Sequence, residues 1–289
     1  MITICREDPN MKLPKLIAAD IDGTLVNDDG EMLDLTRSAL KILHQHGILL
    51  GIASGREYDA TIKDKIRKWD FEDPGFDMMI GLNGGQIYDR ASGNIHQFNE
   101  LQPDTIREII LMMEPLDLNP FLYRNGKQFV KRIDENVRAS SARNHQAVVA
   151  AEDISEMWAG KCPKIMFRVP AERMPEVEQW AFAHQTPAWK AFKTQTTMLE
   201  FCDPQINKGF GLKEYEKLYG IRAEDVMAFG DMSNDNELLE TAGWGVCLKN
   251  GADDTKACAD AVTEYTNNED GMGHYLYDHV LPLLEEKCS

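Results

Sequence analysis

The sequence predicts an α/β fold: a doubly wound, Rossmann-like parallel sheet core carrying an inserted α+β domain. Three observations carry that reading. Short, continuously apolar runs alternate with helical patterns near both ends of the chain, as strands buried between helices do. The middle, residues 86–192, has a different rhythm of paired strands and helices. Charge divides along the same line. Of a formal net charge of −17, residues 86–192 hold 13 basic and 14 acidic side chains, whereas the remainder holds 18 and 34. The core is therefore read as 1–85 with 193–289, residues 1–10 being a candidate extension, and the insert as 86–192.

Taken in order, Lys15–Asp20 (KLIAAD) is a candidate buried strand and runs into a Gly-Thr turn. A helix follows around Asp34–His46, with Leu35, Ala39, Ile42, Leu43 and His46 on one face. Ile48–Ser54 is a second strand, entering a helix near Gly55–Trp69, and Met78–Asn83 is a third. In the insert, Thr105–Met113 and Met174–His184 read as helices and Lys164–Val169 as a strand. Phe121–Lys131 reads as a hairpin turned by Asn125-Gly126, a pair suited to positive φ. The first rhythm then returns: helix Lys208–Tyr219, strand Val226–Gly230, helix Asn234–Thr241, strand Trp244–Leu248, and closing helices at Asp253–Asp260 and Tyr275–Leu284.

Composition excludes several classes. With 43% hydrophobic and 27% charged residues the chain has ordinary globular usage. The acidic excess disfavours nucleic acid and anionic membrane, whose phosphates need Lys and Arg. Cys5, Cys162, Cys202, Cys247, Cys258 and Cys288 are scattered singly, so neither a zinc ribbon nor a redox pair is indicated. The first residues lack the basic and apolar pattern of a signal peptide. No apolar run approaches the roughly 18 residues of a membrane helix. The reading is a soluble, cytoplasmic protein.

The sharpest motif is Asp20-Ile21-Asp22-Gly23-Thr24, at the end of the first strand. Residues i and i+2 of an extended chain point the same way, so Asp20 and Asp22 are expected to converge where open parallel sheets bind ligands. Two close carboxylates need a cation or a shared proton, and a hard divalent ion such as Mg²⁺ suits them. The plainer alternative is an Asp–Gly turn with a solvated acid. Ser54, in Ser54-Gly55-Arg56, puts a hydroxyl before a predicted helix start, either a phosphate cradle or an ordinary N-cap. Lys208 opens another helix, where a surface lysine is the bland reading. Asp231-Met232-Ser233-Asn234-Asp235 ends a later strand with two acids and an amide, a metal-ligand set or a turn. Acids, hydroxyl, lysine and acids at strand ends and a helix start suit phosphoryl transfer.

In this order, D-x-D-G-T, S-G-R, a single Lys and G-D-x-x-N-D resemble the four motifs of the haloacid dehalogenase superfamily. The insert after Asn83-Gly84-Gly85 resembles the type IIB cap of its Cof-like sugar-phosphatase branch. The tail is similar too, in Lys249-Asn250-Gly251-Ala252 and Asn268-Glu269-Asp270-Gly271. The resemblance covers the chain from Pro14 onward, and members often begin near the equivalent of Met11. It implies that Asp20 is a nucleophile forming an aspartyl-phosphate and that Asp22 is the acid and then the base. It implies Mg²⁺ held by Asp20, the Asp22 backbone carbonyl and Asp231, with Asp235 beside or behind, and phosphoryl oxygens held by Ser54, Lys208 and Asn234. Arg56 and the Asn83-Gly84-Gly85 turn fit the pattern without an assigned role.

The leading expectation is thus a Mg²⁺-dependent phosphatase of small phosphorylated metabolites, sugar phosphates foremost. The alternatives are a sugar phosphomutase and a non-catalytic sensor of a phosphorylated ligand. Four weaker signals remain. Gly81–Gly85 does not satisfy a dinucleotide fingerprint. The seven histidines form no metal-binding helix pair, His44 and His46 being placed at a helix end. Met112, Met113, Trp180, Phe182, Trp189 and Phe192 are read mainly as core. Arg124, Lys127, Lys131 and Arg132 cluster at the hairpin, either a solvated face or a site for extra substrate charge.

Overall fold

The computed structural model describes residues 11–124, 126–144 and 147–286. The candidate extension 1–10, Asn125 of the expected turn, and Cys5 and Cys288 lie outside the described residues. The chain forms two compact units, one comprising residues through Gln97 and from Ile206 onward, the other Phe98–Gln205.

The first unit begins with β1 (Leu16–Ala19), whose four apolar residues are all buried. There follow α1 (Asp34–Gln45), β2 (Leu49–Ala53), α2 (Ala60–Lys68) and β3 (Met78–Gly81). β1, β2 and β3 pair in parallel. The next two strands, β4 (Gln86–Asp89) and β5 (Ile95–Gln97), pair antiparallel onto the same sheet. Only four residues separate β3 from β4, too few for a crossover to a parallel neighbour, so the chain must double back. Residues 86–97 therefore belong to the core sheet, and the expected boundary at 86 moves to 98.

The second unit contains α3 (Pro103–Met113), β6 (Pro120–Arg124), β7 (Lys127–Val130), α4 (Glu135–Asn144), β8 (Val148–Ala150), β9 (Lys164–Arg168), α5 (Met174–Ala183), β10 (Lys190–Gln195) and β11 (Met198–Cys202). Its six strands run in the order β10-β11-β9-β6-β7-β8. The hairpin β10–β11 pairs with β9, so residues 193–205 leave the core and the second boundary moves as well. The β6–β7 hairpin pairs Phe121 with Val130 and Arg124 with Lys127, and Gly126 takes φ +71° in its turn. Ile106, Ile109, Phe167, Trp189 and Phe201 fill the core between sheet and helices. Trp189 is fully buried, whereas Phe182 is 60% exposed and is not core. Three members of the basic cluster have partners, and Lys127 is exposed. Arg124 donates to the carbonyls of Glu156 (2.8 Å) and Met157 (3.1 Å), Arg132 pairs with Asp117 at 2.9 Å, and Lys131 faces Glu114 at 3.9 Å.

Back in the first unit come α6 (Lys208–Tyr219), β12 (Val226–Gly230), α7 (Asn236–Thr241), β13 (Trp244–Cys247), α8 (Asp253–Cys258) and β14 (Ala261–Val262). A helix from Gly271 to Tyr275 continues through a π turn, Leu276–Val280, into Pro282–Glu286. The sheet order is β14-β13-β12-β1-β2-β3-β4-β5. The chain winds outward from β1 in one direction and returns on the other side through β12, so the order reverses between β1 and β12. Such a reversal opens a crevice at the carboxyl ends of the strands. Among the described residues no helix is long and apolar enough to cross a membrane.

The first turn of α1 is capped from the far end of the chain. Leu33, at its N-cap position, offers no side-chain acceptor. Asp270 instead accepts from Leu35 N (2.8 Å), Thr36 N (3.0 Å) and Thr36 Oγ1 (2.6 Å). Helix starts leave N–H groups unsatisfied, and a capping carboxylate supplies acceptors and favourable charge. Asp270→Ala is expected to lower stability by about 1–2 kcal/mol, measured as a fall in the urea midpoint at unchanged slope.

Candidate active site

The site is built where β1 and β12 end. Asp20 N donates to Phe229 O at 2.9 Å, prolonging the strand pairing by one residue. The chain then turns, with Leu25 N on Asp20 O (3.2 Å) and Val26 N on Ile21 O (3.1 Å). Gly23 makes the turn possible. Its φ is +89°, and a Cβ there would lie 2.4 Å from Asp231 Oδ2. Thr24 Oγ1 donates to Asp231 Oδ1 at 2.8 Å. Past β12, Asp235 Oδ2 accepts from the backbone N–H groups of Asp231 (3.0 Å) and Met232 (3.1 Å). One carboxylate oxygen from each of Asp20, Asp231 and Asp235 lies within 4.8 Å of the others.

Lys208 is the first residue of α6, which Asn207 caps by accepting from Phe210 N at 2.7 Å. Its side chain is fully buried. Nζ lies 2.5 Å from Asp20 Oδ1 and also bonds Asp235 Oδ1. Burial opposes the Lys208 charge, but Asp20 and Asp235 outweigh it and hold the ammonium above its ordinary range. Burial pushes Asp20 up to about 7; Lys208 opposes the rise, and Asp235 and Asp231 add to it. Asp231 is pushed up to about 6, chiefly by burial, against the Thr24 hydrogen bond and with help from Asp235. Three carboxylates facing one ammonium leave negative charge in excess. An all-oxygen donor set with that imbalance fits a hard divalent cation.

Among the expected site residues, Asp20, Lys208, Asp231 and Asp235 come together. The Asp22 carboxylate does not join them, because β1 stops at Ala19 and the extended-chain argument fails beyond it. Asp22 Oδ2 instead accepts from Arg56 Nη2 at 2.7 Å, half exposed. Ser54 is buried at the end of β2, but α2 does not begin there. It starts at Ala60, capped by Asp59, which accepts from Thr61 N and Ile62 N. The expected helix-terminus cradle at Ser54 is thus absent, and Ser54 Oγ accepts from Arg56 N at 3.2 Å. Asn234 is exposed on the loop after β12, with Nδ2 3.5 Å from Asn83 Oδ1. Sequence reasoning left Thr24, Arg56 and Asn83 without roles. Arg56 and Thr24 sat inside quoted motifs, but only the folded loops show which acid each one holds.

Comparison with known proteins decides the family. The haloacid dehalogenase-like hydrolase family matches residues 17–276. The chain belongs to the haloacid dehalogenase-like hydrolases. The superfamily resemblance read from the four motifs is borne out, and the protein is an enzyme of the phosphatase kind. It is 25% identical over 271 residues to a 5-amino-6-(5-phospho-D-ribitylamino)uracil phosphatase of Bacillus subtilis, covering 92% of this chain and 97% of that protein. A haloacid dehalogenase-like hydrolase from Bacteroides thetaiotaomicron superposes with a TM-score of 0.78 at 25% identity, covering 91% and 98% of the two chains. A subclass IIB sugar phosphatase shares the fold, with a TM-score of 0.75 at 22% identity and coverage of 91% and 98%.

The electrostatics give a pH prediction for this haloacid dehalogenase-like site. Burial raises Asp20 from an ordinary 3.8 to about 7 and Asp231 from 3.8 to about 6. The folded state then binds more protons than the unfolded state between about pH 4 and 7, so these groups make stability fall as pH rises through that window. Chelator-treated protein should lose melting temperature between pH 5 and 7.5, and Asp231→Asn should lose less. The gain in melting temperature on adding a divalent cation should grow over the same range, because the cation displaces those protons.

Proposed function

We propose that this chain is a Mg²⁺-dependent phosphatase of small phosphorylated metabolites, with sugar phosphates as the leading substrate class. The observation that carries the reading is the arrangement around Asp20, whose carboxylate meets buried Lys208 and two further acids at the crevice of the sheet. The names of the Bacillus subtilis relative, a phosphatase of a phosphorylated ribitylamino-uracil, and of the subclass IIB sugar phosphatase support a small phosphorylated metabolite as substrate.

In this reading Asp20 attacks phosphorus and forms an aspartyl-phosphate. Lys208 favours the ionised carboxylate needed for attack. The leaving oxygen takes its proton from Asp22. Asp22, now a carboxylate, accepts a proton from the water that opens the aspartyl-phosphate, releasing phosphate and restoring Asp20. Asp22 is half exposed, and Arg56 holds it in one orientation. Asp20, Asp231 and the Asp22 carbonyl would hold Mg²⁺, with Asp235 fixing the loop behind. When bound, the ion supplies positive charge against the phosphoryl oxygens. Ser54, Lys208 and Asn234 would receive those oxygens, and the second unit would select the leaving group.

The test is phosphate release from a panel of sugar phosphates, nucleotides, pyridoxal phosphate and p-nitrophenyl phosphate. Release should require Mg²⁺ and disappear with chelator. Asp20→Asn should lower it by at least roughly a thousandfold while the melting temperature is kept. Full activity in that variant would overturn the nucleophile assignment. Isomerised sugar phosphate in place of free phosphate would identify a mutase.

A further inference from the structure

The turn after β3 is the most strained backbone near the site. Leu82, Asn83 and Gly84 have φ of +53°, +54° and +108° in succession. Residues other than glycine mostly avoid this region, and a run containing a leucine persists only where its surroundings impose it. Those surroundings belong to the site. Asn83 N donates to Ser54 O at 3.0 Å, and Leu82 N to Arg56 O at 3.0 Å. Gly84 packs so closely on the start of α6 that a Cβ there would lie 2.0 Å from Asn207 O, next to Lys208. The Asn83 side chain, only 6% exposed, puts Oδ1 3.5 Å from Asn234 Nδ2 and lies against Gly55. One turn thus touches the three segments that carry Ser54, Lys208 and Asn234.

We propose that Asn83 is a positioning residue that sets the phosphoryl-binding groups, holding the Asn234 amide through its side chain and the Ser54 loop through its backbone. Asparagine meets both demands, since it tolerates left-handed φ better than most residues and carries an acceptor. Without its amide, exposed Asn234 loses the contact that orients it toward a bound phosphoryl group. The inference rests on the proposed phosphatase reading, in which Asn234 and Ser54 hold phosphoryl oxygens.

The decisive variant is Asn83→Gly, which keeps the left-handed backbone and removes the amide. It should fold with a melting temperature close to that of the parent. Its KM for p-nitrophenyl phosphate and its inhibition constant for inorganic phosphate should rise roughly tenfold, with kcat changed less. Asn83→Ala should bind phosphate as weakly and melt lower, because it adds the backbone penalty. In an Asn234→Ala background, Asn83→Gly should add less than about twofold, since the two act through one contact. Parental phosphate inhibition in Asn83→Gly, or losses that multiply in the double variant, would overturn the positioning role alone. Unchanged phosphate inhibition in Asn234→Ala itself would overturn the phosphoryl-cradle reading and this inference together.

Discussion

A fully buried lysine among buried acids is the constraint on which the first unit is organised. An ammonium out of water is strongly penalised unless it is paired and hydrogen-bonded. Lys208 meets that condition through Asp20 and Asp235. The pairing ties the end of β1, the start of α6 and the loop after β12 to one point, although the residues stand 188 and 27 positions apart in sequence. Each partner needs support in turn. Asn207 fixes the helix start, two backbone N–H groups hold the second oxygen of Asp235, and Asp20 is locked by the strand pairing of its own N–H.

The same cluster sets the electrostatics of the site as well as its order. One ammonium does not balance three carboxylates, so burial raises the proton affinity of Asp20 and Asp231. Groups poised near neutrality by burial and like charge are a recurrent signature of functional sites. A cation would offset the imbalance, and Gly23 and Thr24 already fix where Asp231 stands. Close approach thus stands in for rigidity: where Gly23 passes Asp231 there is room for no side chain at all.

Much of this was legible in the sequence for identifiable reasons. Apolar runs as continuous as VMAFG mark buried parallel strands, and β12 falls where the pattern places it. The helix from Lys208 to Tyr219 likewise matches its expected bounds. The misreadings share a cause. β4 and β5 carry polar residues such as Gln86, His96 and Gln97, so their composition did not resemble the core strands they extend. At the other boundary, β10 is mostly half-buried or exposed, and it is the hairpin partner β11 that assigns it to the second sheet. In the loop after β2, Gly55 and Arg56 looked like a helix start, but the helix begins only after Asp59, whose side chain caps it.

For the site, residue types and their order along the chain were enough to name Asp20, Asp22, Ser54, Lys208, Asn234, Asp231 and Asp235 as candidates, because strand-end acids and a helix-start lysine are local features. Pairing is not local. That Lys208 is wholly buried between Asp20 and Asp235, that Asp22 turns to Arg56, and that Asn83 sits between Ser54 and Asn234 follow from how distant loops pack at one sheet edge. Periodicity and spacing report which face of an element is apolar and where it stops. They carry no information about which side chains meet once several elements stop at the same place, and that meeting fixes burial, proton affinity and orientation at the site.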